Sequence, residues 1–86
     1  MAYYDIVWKH SAEKDLRKID GSQIPKIIKA VELLSKNPVP PGVKKLVGSE
    51  RAFRIRVGDY RVIYQFDIKE KLVIIEHVRH RKEAYR

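Results

Sequence analysis

Apolar residues recur at every second position through Phe53, Ile55 and Val57, and again through Tyr60, Val62, Tyr64 and Phe66. Side chains alternate across a strand, so this pattern predicts two strands with one buried face. The Gly58-Asp59 pair between them has the composition of a two-residue hairpin turn. The predicted register sets Val57 against Tyr60, Arg56 against Arg61, Ile55 against Val62 and Arg54 against Ile63. Upstream the period changes. Ala12, Leu16 and Ile19 recur at helical spacing, predicting a short helix capped by Ser11 and running to about Ile19, where Asp20-Gly21 stops it. Glu13 in its first turn favours the helix dipole. Ile24, Ile27, Ile28, Val31 and Leu34 form the stripe of a second helix over about Ser22 to Lys36. Pro25 is tolerated in its first turn, and Asn37-Pro38 ends it.

Three further segments complete the pattern. Residues 3–8, YYDIVW, are aromatic and β-branched and predict a first strand, with Trp8 a core or rim residue rather than a stacking platform. Residues 38–50 hold three prolines and two glycines and are expected to be an irregular loop. Leu72–Val78 is apolar on both faces, which predicts a central strand. The expected fold is α+β in the order β-α-α-β-β-β: two N-terminal antiparallel helices packed on one face of a mostly antiparallel four-stranded sheet.

At 86 residues the chain is read as a single domain, residues 1–86, able to bury roughly 60–65% of its extended-chain surface. With no cysteine, disulfides and thiolate metal sites are excluded. No apolar run reaches the length of a membrane span, so no membrane partner is expected and a cytoplasmic protein is the default. Lys and Arg number 19 against 11 Asp and Glu, a formal charge of +8 that points to a polyanionic partner.

The predicted hairpin gives that charge a location. Arg54, Arg56 and Arg61 fall on the face opposite the apolar one, with Arg56 and Arg61 directly opposed. Like charges opposed across a ladder cost about 1 kcal/mol when exposed. A bound anion removes that cost, and guanidinium forks match phosphate oxygens. A merely solvated basic face is the alternative, and the same choice applies to the loop lysines Lys44 and Lys45. His77 and His80 are three apart on a strand, which sends them to opposite faces, so metal ligation is not expected. Nor is a phosphate-cradling glycine loop present. A basic surface with titratable neighbours is sufficient for cleaving RNA, because the adjacent 2′-OH supplies the nucleophile.

The string Phe53-Arg54-Ile55-Arg56-Val57-Gly58-Asp59-Tyr60-Arg61-Val62-Ile63-Tyr64, followed by the apolar strand and His80-Arg81-Lys82-Glu83-Ala84-Tyr85, resembles the RelE branch of the RelE/ParE toxin superfamily. The helix pair and Leu46-x-Gly48 fit as well. The hairpin string is shared with the ParE branch, whose members inhibit DNA gyrase, and the terminal R-x-x-x-Y favours the RelE side. The resemblance implies a metal-independent endoribonuclease without cofactor that cuts mRNA in the ribosomal A site and so inhibits translation. It also implies a toxin that is monomeric alone and is neutralised by a cognate RelB-like antitoxin. It places the catalytic positions on Arg54, Arg56, Arg61, Arg81 and Tyr85, with Lys44, Lys45 and His80 as candidate substrate contacts. His80 and Tyr85 each keep a bland alternative, as a solvated residue and as a terminal aromatic packed on the sheet. The family pattern has lysines where this chain has Arg54 and Arg56. Arginine does not give up its proton, so the base is not set by the family pattern: Tyr85 is expected to orient or exchange a proton with the 2′-OH, with His80, Glu83, Lys44 and Lys45 as the alternatives.

Overall fold

The computed structural model describes residues 3–46, 48 and 51–84. The elements are β1 (Asp5–Trp8), α1 (His10–Arg17), α2 (Ile24–Lys36), β2 (Lys44–Lys45), β3 (Phe53–Val57), β4 (Tyr60–Asp67), β5 (Leu72–His80) and α3 (Arg81–Ala84). One sheet runs in the order β1-β5-β4-β3-β2, with β1 parallel to β5 and the other pairs antiparallel. The expected α+β layering is present, with β5 interior between β1 and β4 and β4 at the centre of the sheet. The sheet has five strands rather than four, because Lys44 and Lys45 pair with Arg54 and Phe53 inside the segment expected to be irregular. Two charged residues carry no apolar alternation, so sequence pattern does not reveal such a strand. Lysines on an edge strand also discourage pairing with another sheet.

The core lies between the helices and the apolar face of the hairpin. Ala12, Ile27, Val31 and Leu34 meet Ile55, Val62, Tyr64, Val73, Ile75 and Val78 there. Of the predicted α2 stripe, Ile27, Val31 and Leu34 are buried, whereas Ile24 and Ile28 are half-buried at its margin. Pro25 occupies the second position of α2, where its missing N–H has no helical acceptor to lose. Phe53 stacks on Phe66 with ring centroids 5.2 Å apart, extending the core along β3 and β4.

The start of α1 departs from expectation. Lys9 rather than Ser11 is the N-cap residue, and it makes no side-chain cap. Pairing of β1 with β5 ends at Trp8 opposite Ile75, which leaves the rest of that β5 edge without a strand. Residues at the start of α1 bond to it instead. Lys9 N–H donates to the Ile75 carbonyl at 2.9 Å, the Ser11 hydroxyl donates to the Glu76 carbonyl at 2.7 Å, and Val78 N–H donates to Asp15 Oδ2 at 3.0 Å. Ser11 is recruited by an edge acceptor, a tertiary demand stronger than its local capping preference.

Register changes once along β5. Ile63 pairs with His77 while Tyr64 pairs with Ile75, so Glu76 is the extra residue of a bulge. The irregularity lets Ile75 and Val78, three apart, both face the core.

Tyr64 is the largest fully buried side chain, and its hydroxyl donates to the buried Pro38 carbonyl at 2.6 Å. That bond fastens the end of α2 to the centre of the sheet. Burial pushes the Tyr64 phenol up to about 12, so the folded state resists its ionisation. Because the folded value exceeds the unfolded value of about 10, this contribution is complete below pH 10 and is lost between pH 10 and 12. Tyr64→Phe strands the Pro38 acceptor and should cost about 1–3 kcal/mol at neutral pH by denaturant unfolding. The variant should also lose about 2–3 kcal/mol less than the parent between pH 10 and 12.

Candidate functional site

The face of the sheet away from the helices collects the arginines. The predicted hairpin register is observed pair for pair, with Arg56 opposite Arg61 and Arg54 opposite Ile63. β5 adds a residue that sequence reading left out: Arg79 pairs with Arg61 on the other side. Arg56, Arg61 and Arg79 thus stand in one row across three strands, within about 10 Å given the usual strand spacing. The neighbouring row runs Lys44, Arg54, Ile63 and His77.

Arg56 is exposed and its Nε donates to the Gly58 carbonyl at 3.0 Å, which fixes its root beside the turn. Arg54, Arg61 and Arg79 are half-buried, and Nη1 of Arg61 is shielded from solvent. Among the described residues, Lys44, Arg54, Arg56 and Arg79 have no ion-pair partner. Asp15 reaches over the β5 edge from α1, its Oδ2 3.0 Å from His77 Nδ1. Cations gathered without matching anions repel one another, and a phosphate relieves that repulsion bidentately.

Other predicted residues are placed apart from the row. Lys44 joins the arginine face beside Arg54, whereas Lys45, opposite Phe53, belongs by alternation to the other face. His80 pairs with Tyr60 on the helix side of the sheet, where the two rings meet edge to face at 5.4 Å. Its Nδ1 accepts from Lys82 N–H at 3.3 Å. Arg81 begins α3, and its N–H donates to the Asp59 carbonyl at 2.7 Å, so the tail is pinned to the hairpin turn. Its side chain is exposed. Tyr85 lies outside the described residues. Among the described residues, no group of three or more His, Asp or Glu side chains could hold a metal ion. The sequence marks Arg79 only as part of the basic run Arg79-His80-Arg81-Lys82, because strict alternation from Val73 and Ile75 would have turned it to the core and the bulge at Glu76 turns it out.

Comparison with known proteins agrees with this geometry. Residues 6–85 match the family described as the ParE toxin of type II toxin-antitoxin systems, parDE. RelE1 of Methanocaldococcus jannaschii is 33% identical over 76 residues, covering 85% of this chain and 84% of that protein. The archaeal RelE–RelB complex from Pyrococcus horikoshii OT3 contains a chain of the same fold, with TM-score 0.79 and 29% identity, covering 94% of this chain and 97% of that one. The RelBE2 toxin–antitoxin complex from Mycobacterium tuberculosis gives TM-score 0.79 and 26% identity, covering 91% of this chain and 98% of that one. A basic sheet face backed by two helices over nearly full-length matches defines the class, and the chain belongs to the RelE/ParE superfamily of toxins of type II toxin–antitoxin systems. Within that superfamily it is RelE-like.

If the row holds phosphate, each member contributes to counterion release. Arg56→Ala and Arg79→Ala should each flatten the log-log salt dependence of single-stranded RNA binding by about 0.7. Fluorescence anisotropy across a salt series measures this, and an unchanged slope would assign the residue to the fold alone.

Proposed function

We propose that this chain is a toxin that cleaves mRNA in the A site of the translating ribosome, and that a RelB-like antitoxin neutralises it. The observation that carries the reading is the row Arg56, Arg61 and Arg79 flanked by Arg54 and Lys44, in which Lys44, Arg54, Arg56 and Arg79 have no ion-pair partner among the described residues. Nearly full-length likeness to RelE proteins supports it.

In this mechanism the 2′-oxygen of one nucleotide forms a bond to the adjacent phosphorus as the bond from phosphorus to the 5′-oxygen breaks. The products are a 2′,3′-cyclic phosphate and a 5′-hydroxyl. Arg54 and Arg56 hold the phosphate, and Arg61 and Arg81 stabilise charge on the phosphorane and on the leaving oxygen. The 2′-OH proton passes to Tyr85, and guanidinium groups gathered on the bound phosphate would favour a phenolate acting there. The leaving 5′-oxygen takes a proton from a solvent water, and Tyr85 returns the proton it gained to solvent. The residues act by charge and positioning and need no metal or cofactor. Lys44 extends the track for the phosphate backbone. His80 and Lys45, placed on the other side, are left for contacts at the rim.

An antitoxin fits the same electrostatics: an acidic segment with an apolar side offsets the +8 charge and covers the arginine row or displaces the tail from Arg79 onward. The relatives from P. horikoshii and M. tuberculosis are toxin–antitoxin complexes. A second reading, gyrase inhibition without bond cleavage, draws on the ParE description of the matching family.

Inducing the chain in cells and mapping the 5′ ends of translated messages separates the two. In-frame cuts support cleavage, whereas intact messages with damaged DNA support gyrase inhibition. Tyr85→Phe keeps the ring and removes only the hydroxyl. It should preserve folding and ribosome binding while lowering single-turnover cleavage by roughly a hundredfold or more. Cleavage within about threefold of the parent excludes the hydroxyl as the proton-exchanging group.

A further inference from the structure

His77 stands between α1 and the arginine row, and its Nδ1 is claimed from two sides. Asp15 Oδ2 lies 3.0 Å from it and Arg79 Nη2 lies 3.2 Å from it. The two contacts need opposite states of the ring. Asp15 accepts, so its bond requires a hydrogen on Nδ1; Arg79 donates, so its bond requires a bare Nδ1 lone pair. One nitrogen cannot satisfy both at once. Asp15 is itself fixed, because the same Oδ2 accepts from Val78 N–H at 3.0 Å on the uncovered edge of β5. Arg79 is the mobile partner, with an exchangeable guanidinium at the end of a long stem and no carboxylate bonded to it among the described residues.

We infer that His77 is a two-position relay coupling α1 to the arginine row. With Nδ1 bare, it accepts from Arg79 and holds that guanidinium at the edge of the sheet. With Nδ1 carrying hydrogen, it donates to Asp15 and Arg79 turns toward a phosphate beside Arg61. Engaging phosphate through Arg79 and forming the His77–Asp15 bond are therefore one event, and each favours the other by the same factor. Asp15 and His77 are positioning residues, acting through Arg79 without touching the substrate. The inference rests on the phosphate-binding reading of the row and adds to it a state-dependent third guanidinium.

The decisive measurement is long-range proton–nitrogen NMR of the histidine side chains in the full chain, free and with a 2′-O-methyl oligoribonucleotide that cannot be cleaved. Oligonucleotide binding should move the Nδ1 resonance of His77 from lone-pair toward N–H character. Asp15→Asn retains an oxygen for Val78 N–H but weakens the charged bond to His77. It should reduce oligonucleotide affinity about fivefold, the scale of replacing a charge-assisted hydrogen bond by a neutral one. The same change in an Arg79→Ala background should have no further effect. An oligonucleotide that binds without altering the His77 nitrogen overturns the coupling alone, as does an equal loss from Asp15→Asn in both backgrounds. One that does not bind overturns the phosphate reading and the coupling with it.

Discussion

Burial of one face of the β3–β4–β5 ladder constrains everything on the other. Ile55, Val62, Tyr64, Ile75 and Val78 must all reach the core beneath the helices. A slip of one residue would turn that whole set to solvent, so the register is held by the hydrophobic effect rather than by anything on the basic side. Arg56, Arg61 and Arg79 share a row because their neighbours are apolar. Their mutual repulsion, about 1 kcal/mol for an exposed pair, is small beside the burial of several aliphatic and aromatic side chains at about 1.5–3 kcal/mol each. The core can therefore hold together a charge cluster that would disperse on a flexible chain.

The hairpin was legible in the sequence because two strong local signals coincide there, strict alternation and a glycine-bearing two-residue turn. The stripe of α2 was legible for the same reason, at helical period. What escaped reading depends on contacts between distant segments. The bulge at Glu76 breaks the alternation of β5 without any glycine or proline to mark it. Ser11 looks like a cap, and only the early end of β1 turns it toward Glu76. The third arginine follows from strand pairing beyond Val78, where the apolar pattern has already stopped. In the site, Arg54, Arg56 and Arg61 could be placed from the hairpin alone. The separation of Lys45 and His80 from them required the registers of β2 and β5.

α1 serves two masters at the edge of β5. Its N-terminal residues supply the hydrogen bonds that β1 stops providing after Trp8, and its Asp15 reaches the border of the basic face. The carboxylate that reaches His77, beside Arg79, thus belongs to the helical layer and arrives around the sheet rather than through it. Fold maintenance and tuning of the basic face share a single carboxylate there.

The bond from Arg81 N–H to the Asp59 carbonyl closes a short circuit between residues far apart in sequence. Hairpin tips are ordinarily where a lineage can lengthen a protein at little cost. Here the tip also holds the first residue of α3. Gly58 at φ 61° supplies the left-handed backbone that keeps the turn tight. An insertion there would carry the Asp59 carbonyl away and cast off the tail that follows. The length of the tip and the position of Arg81 are thus set by one hydrogen bond.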